Sequence, residues 1–396
     1  MSNAGLEQLC AAREIVITCG SGGVGKTTTA AAIGTMAASQ LGGKVLVLTV
    51  DPARRLATAL GLEQFGNVET RVPPELFAAA GVEPRGELWA AMLDTKQSWD
   101  ELVRAHAPDP ATRDAILANP LYRNITAKFV QSHDYIAMER LHEIHVSGRY
   151  DLIVVDTPPT RNAIDFLEAP ERMADFFSSR LLRWLITPYR SRLVNAASKP
   201  FYTIADRILG SQFLEDIAEF FVLFQSMYEG FVERAHAVSR TIADRRTSFV
   251  VVSTLEDAPV REAEFFMHAL VERELHLGAL VLNKVLPSWF ADEGGAEVAD
   301  RLVRESTEVA AALTRHAAGP GPEGAPGPEG LGDPAQVARV LKEIGQSFDD
   351  YRIVASRERE MAADLSRHPE LVVSAPHLDH DVSDLEGLVA LGRALW

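Results

Sequence analysis

The residues best placed to do chemistry are a glycine-rich run, Gly20-Ser21-Gly22-Gly23-Val24-Gly25-Lys26-Thr27, and two aspartates, Asp51 and Asp156, each of which closes an apolar stretch. Glycines let backbone N–H groups turn inward around phosphate oxygens, and a helix that follows adds the positive end of its dipole. Gly22, Gly23 and Gly25 supply that freedom, with Val24 in the same cradle. Lys26 is suited to neutralise the β- and γ-phosphates, the Thr27 hydroxyl to bind Mg²⁺ directly, and Thr28 to add a contact to the α-phosphate. The apolar run Ile15 to Thr18 precedes the loop and Thr28-Thr29-Ala30-Ala31-Ala32 follows it, the strand and helix that a phosphate-binding loop requires. The ligands predicted are therefore ATP and Mg²⁺.

Asp156 follows the apolar run Leu152 to Val155, which puts a carboxylate at the carboxyl edge of a sheet, where open α/β folds bind ligands. It reads as the acid that holds Mg²⁺, through water, or as a simple helix N-cap. Asp51 precedes Pro52, which ends a strand and starts a loop. It can orient or deprotonate an attacking water, and an Asp-Pro turn accounts for the pair equally well.

Positioning these groups requires a sheet. Short apolar runs without alternation, at Ile15–Thr18, Val45–Val50, Leu152–Val155, Phe249–Val252, Ala279–Leu282 and Leu371–Val373, suit parallel strands covered on both faces. The fold predicted is α/β, a parallel-sheet P-loop NTPase core covered by helices on both faces, with a helical insertion subdomain. The core spans 1–162 and 247–396, and 163–246 is the insertion. In that insertion Phe213, Ile217, Phe220, Phe221, Phe224, Tyr228 and Phe231 recur at three- and four-residue steps, which puts them along one side of a helix. Burial against neighbouring helices explains the stripe, and a client-binding groove is the functional reading. Residues 317–334 are rich in Gly and Pro and read as a flexible loop within the core.

The chain has 396 residues, 47% of them hydrophobic, enough for a full core. Its 39 basic and 55 acidic residues give a net charge of -16, which speaks against tracking nucleic-acid phosphates or anionic lipid. Cys10 and Cys19 make neither a disulfide framework nor a CxxC zinc site, and read as small buried hydrophobes. No run approaches the ~20 apolar residues of a membrane span, and the N-terminus has no signal-peptide pattern, so the expected compartment is the cytoplasm.

Together the P-loop Ser21 to Thr29, "VDPARRLATAL" from Val50 to Leu60 and "DTPPTRNAIDFL" from Asp156 to Leu167 resemble the arsenite-translocating ATPase family, which includes the ATPase that delivers tail-anchored membrane proteins. The resemblance implies a dimer of the deviant Walker A class with two nucleotides facing one another. It places Asp51 at the water-activating aspartate of switch I, Asp156 to Thr160 in switch II, and Asn283 at the adenine-reading asparagine. Pro376, within "SAPHLDHDV", falls in the loop covering the adenine, and Glu256 matches a glutamate that touches nucleotide across the dimer. A strand-end turn is the structural reading of Asn283. His377, Asp379, His380 and Asp381 invite a metal-site reading, against solvated loop side chains.

Departures from the family pattern bear on function. Its P-loop carries a signature lysine where this chain has Ser21, and that lysine reaches the partner's phosphates. Losing such a clamp slows phosphoryl transfer. Arg54, Arg55 or Arg161, in or beside the switches, could replace it, as could a heterodimer with a related chain that retains the lysine. The paired zinc cysteines of the tail-anchor branch and the arsenite cysteine cluster are both missing. The expected function is a Mg²⁺-dependent dimeric ATPase that couples nucleotide state to a protein client or membrane partner. A weakly hydrolysing regulatory or scaffold subunit is the alternative.

Overall fold

A computed structural model describes residues 5–50, 55–62, 66–128, 130–157, 163–178, 220–225, 227–317, 333–367 and 369–396. Eight strands form one sheet: β1 (Ile15–Cys19), β2 (Gly43–Thr49), β3 (Thr70–Arg71), β4 (Gly86–Met92), β5 (Leu152–Asp156), β6 (Thr247–Ser253), β7 (Leu277–Val285) and β8 (Val372–Pro376). Their order is β3-β4-β2-β5-β1-β6-β7-β8, and every pairing is parallel except the short β3–β4 edge. The α/β fold with a largely parallel sheet thus agrees with the sequence. Two strands, β3 and β4, are additions to the six expected, and Asp156 ends β5.

Alternate residues of the central strands feed two separate cores, one on each face. Ile15, Ile17, Leu46, Leu48, Ile153 and Val155 belong to one, and Val16, Val45, Val47, Leu152 and Val154 to the other. On the second face the helix Lys26–Gln40 lies against the sheet, with Ala30, Ala31, Ile33 and Ala37 buried. Small side chains let it approach closely: a Cβ on Gly34 would sit 2.3 Å from a Val47 methyl. The consequence for function is positional, because this helix fixes the end of the glycine loop over the sheet.

The first face is covered by the helices Thr95–His106, Val130–Val146, Ala163–Ser178, Tyr228–Ala243 and Asp257–Glu272. The described members of the phenylalanine stripe belong to this core: Phe220, Phe224 and Phe231 are buried and Phe221 is partly so. Phe231 stands 5.8 Å from both Trp99 and Tyr135 and 5.2 Å from Phe224, with the Arg234 guanidinium 4.9 Å above its ring. Arg234 in turn pairs at 2.8 Å with Glu139, whose carboxyl burial pushes above its ordinary range. Phe213 and Ile217 lie outside the described residues, as does the Tyr228 side chain. Since Phe231 is fully enclosed, Phe231→Ala is expected to cost about 3–5 kcal/mol of stability by cavity formation, measured by urea denaturation. A loss under about 1 kcal/mol would mean that this cluster does not hold the helices to the sheet.

A second helical unit follows β7. It comprises the 3₁₀ turn Ser288–Ala291, helices Glu293–Arg304 and Ser306–Ala317, and the long helix Pro334–Leu365. Residues 318–332 of the expected Gly/Pro loop lie outside the described residues. Among the described residues, no helix is long and apolar enough to cross a membrane.

Candidate functional site

The glycine loop leaves β1 through Gly20, at a φ of 149°, where a Cβ would stand 2.1 Å from the Val252 carbonyl on β6. Gly25, at a φ of 93°, immediately precedes the helix, and its own Cβ would collide with the Asn283 amide at 2.2 Å. Both conformations exclude ordinary L-residues. Val24 between them is buried and anchors the loop in the core, while Gly22 and Gly23 are exposed. No side chain caps the helix at Gly25, so its first N–H groups point toward the mouth of the loop.

Lys26 is 6% exposed and donates from Nζ to the Ser21 carbonyl at 2.8 Å, which draws the ammonium across the loop. The Thr27 hydroxyl donates to Asp156 Oδ2 at 2.7 Å, and Thr49 donates to the same oxygen at 2.9 Å. Strand order produces this convergence, since β5 lies between β1 and β2 and Asp156 is in register with both Thr18 and Thr49. Asp156 is completely buried as a strand residue bonded by two hydroxyls, which removes the N-cap reading. Two hard oxygen ligands at the foot of a phosphate loop are the donor set that Mg²⁺ takes.

A cleft of about 970 Å³ opens over these groups. Gly23, Gly25, Lys26, Thr27 and Thr28 line it on the glycine-loop side, Asn283 lines it against that loop, and Pro376 and Leu378 complete the lining from the segment at and after β8. Pro376 ends edge strand β8, where a missing N–H is tolerated. Asn283 is nearly buried and its amide is engaged, donating to the Val24 carbonyl at 2.8 Å while its oxygen accepts from Lys284 N at 3.0 Å. Glu256 sits exposed at the start of helix Asp257–Glu272, outside the lining of the cleft. Among the described residues no cluster of three or more His, Cys, Asp or Glu side chains is placed to hold a metal ion, and His377 and His380 simply line the cleft.

The sequence profile of the Anion-transporting ATPase family matches residues 13–301. The chain belongs to that family. An uncharacterized protein of Streptomyces coelicolor is 30% identical over 277 residues, covering 69% of this chain and 63% of its own length, so the chain spans less than two thirds of that relative. A protein of Aquifex aeolicus that bears the name arsenical pump-driving ATPase 2 is 23% identical, over 69% of this chain and 81% of its own. The ATPase GET3 of Komagataella phaffii is likewise 23% identical, over 69% and 72%.

Several expected site residues lie outside the described ones: Asp51, Arg54, Arg161, residues 158–160 and the Arg55 side chain. Val50, just before Asp51, donates its N–H to the Asp156 carbonyl at 3.1 Å, so the chain enters that segment beside β5. Thr49, Thr157 and Lys284 also belong to the site. Thr49 was open to detection as a hydroxyl beside the Val50-Asp51 pair. Lys284, at a φ of 59°, carried no sequence signal. Ser21 is buried, and its hydroxyl has no hydrogen-bond partner among the described residues. Both cysteines are buried: burial pushes the Cys10 thiol up to about 12, and raises Cys19 further against a weak opposing pull from Lys26.

Proposed function

We propose that the chain is a Mg²⁺-dependent ATPase that works as a dimer, with itself or with a related lysine-bearing chain, and couples nucleotide state to a protein client or membrane partner in the cytoplasm. The observation that carries this reading is the 2.7 Å contact between the Thr27 hydroxyl and the Asp156 carboxylate beneath the glycine loop. Bound there, the cation would neutralise charge that develops between the β- and γ-phosphates. The N–H groups of the loop and of the first helical turn would hold phosphate oxygens, with Lys26 as their counter-charge. Asp51 is the proposed water-activating group, and Glu256 the proposed contact across the dimer. Boundaries at 162/163 and 246/247 are proposed to separate this core from the helical subdomain.

Phosphate release from ATP with Mg²⁺, followed for the chain alone and with any co-purified partner, tests the reading. Sustained release is expected. ATP binding without turnover in every assembly would favour a regulatory or scaffold subunit instead. Ser21 favours that second reading, because position 21 offers no cation to a partner's phosphates.

Asn283 is proposed to read the adenine edge in addition to bracing Val24. Asn283→Ala is expected to weaken ATP binding about tenfold and to reduce the preference for ATP over GTP by a similar factor. Paired titrations with the two triphosphates check this. Equal weakening of both would assign Asn283 to loop support alone.

A further inference from the structure

Among the described residues, the helical unit after β7 presents an apolar face that its own packing leaves uncovered. On helix Pro334–Leu365, the side chains turned to the neighbouring helices include Gly345, against Ala299 and Val303, and Ala355, both buried. Val340, Ile344, Tyr351 and Val354 are instead 54%, 52%, 51% and 46% exposed. Counting Ser347, these five positions advance by four, three, four and three residues, the spacing that lines up one seam for a partner helix. Trp289, 55% exposed, widens the seam beside it, stacked on Phe290 and Phe348, while Phe290 in turn stacks on Tyr351. Solvent-exposed apolar side chains in such a contiguous, aromatic-rich array mark an interaction surface.

Charge identifies the occupant. Glu343 and Asp350 immediately precede Ile344 and Tyr351, are seven residues apart, and are both exposed, so they flank the seam on its open side. On the other side the equivalent positions, Leu341, Phe348 and Ala355, are turned into the unit itself and are at least partly buried. A second copy of this helix laid antiparallel would set acids against acids along that open flank, a repulsive arrangement. A helix carrying Lys or Arg along its edge would pair with them. The anchorage is firm, because the Leu286 N–H, three residues beyond Asn283, donates to Glu358 of the same helix at 2.9 Å.

We infer that the face formed by Val340, Ile344, Tyr351, Val354 and Trp289 is a docking site for a basic amphipathic helix of a partner protein. This stands apart from the ATPase reading, since it uses none of the residues of the phosphate site.

The test uses the full chain and two labelled three-heptad peptides, each with a leucine seam, one flanked by Lys and the other by Glu, with binding read by fluorescence anisotropy. The Lys peptide should bind at least about tenfold more tightly, and more weakly as salt is raised. The double variant Ile344→Asp/Tyr351→Asp should lose about tenfold or more in affinity, and Glu343→Lys/Asp350→Lys should invert the preference in favour of the Glu peptide. All four positions are at the surface, and the charge swap keeps the apolar seam, so it carries the test should the aspartate variant unfold. The inference is overturned by equal affinity for both peptides, by binding of neither, or by affinities that the charge swap leaves unchanged. A dimer of the chain that dissolves on Ile344→Asp/Tyr351→Asp would also overturn it, by showing that a second copy covers the face.

Discussion

Lys26→Met is expected to lower ATP turnover by at least about 10³-fold while leaving the fold intact, because a positive charge on transferring phosphoryl oxygens acts mainly in the transition state. The side chain is only 6% exposed and is held by the Ser21 carbonyl at 2.8 Å, so its charge is fixed in place before substrate arrives. Methionine fills similar volume, and the hydrogen bond lost costs about 1 kcal/mol. The melting temperature should therefore fall by only a few degrees, of the order expected for such a loss in a large domain. Phosphate release and binding of a fluorescent ATP analogue separate the two effects: kcat collapses, and affinity weakens less. Turnover within about threefold of the parent chain would mean that the glycine loop does not cradle the reacting phosphates.

Ser21 sharpens this expectation. In the proposed dimer a lysine at position 21 would give a partner's site a second cation, and here the position is occupied by a small buried hydroxyl. Lys26 is consequently the buried, pre-positioned cation of the glycine loop, with Lys284 the exposed lysine of the cleft lining.

How much of this was legible in the sequence depends on which physical signal each element carried. Strands β1, β5 and β6 are buried on both faces and are built from Ile, Val and Phe, so their runs stood out. Strand β4, Gly-Glu-Leu-Trp-Ala-Ala-Met, has no β-branched residue and is in register with β2 from Gly43–Gly86 to Thr49–Met92. It is a strand because of its neighbour, a tertiary effect that propensity does not register. The glycine loop was readable because Gly20 and Gly25 answer a local backbone demand, φ values of 149° and 93° that favour glycine. The meeting of Thr27, Thr49 and Asp156 was only half readable. That Thr49 and Asp156 close strands and Thr27 lies in the first turn of the helix after the glycine loop is local, but the approach of both hydroxyls to one carboxylate oxygen follows from the order β2-β5-β1. The resemblance proposes Asn283 as a base contact; its grip on Val24 was not legible in the sequence, because that bond joins residues 259 apart in the chain.

The same convergence sets the second large effect, for Asp156→Asn. The carboxylate is completely buried and takes hydroxyl protons from Thr27 and Thr49 on a single oxygen, Oδ2. Asparagine is nearly isosteric and keeps an acceptor oxygen, and a threonine hydroxyl can rotate to accept as well as donate, so the local network survives. What disappears is the negative charge, which contributes to holding a divalent cation, whereas a neutral amide attracts it weakly. The Mg²⁺ concentration for half-maximal activity is accordingly expected to rise by about 10–100-fold, the range seen when a group supporting a metal is lost. Maximal turnover should fall by about 10²-fold or more even at saturating Mg²⁺, since the cation is then held less firmly against the phosphates. Nucleotide binding measured without Mg²⁺ should change little or even improve, because a negative charge near the phosphates has been removed. That last arm separates a metal-holding acid from a purely structural one. If Asp156 served only to tie Thr27 to Thr49, the substitution would lower stability and weaken ATP equally with and without Mg²⁺, and the Mg²⁺ dependence of the surviving activity would stay where it was.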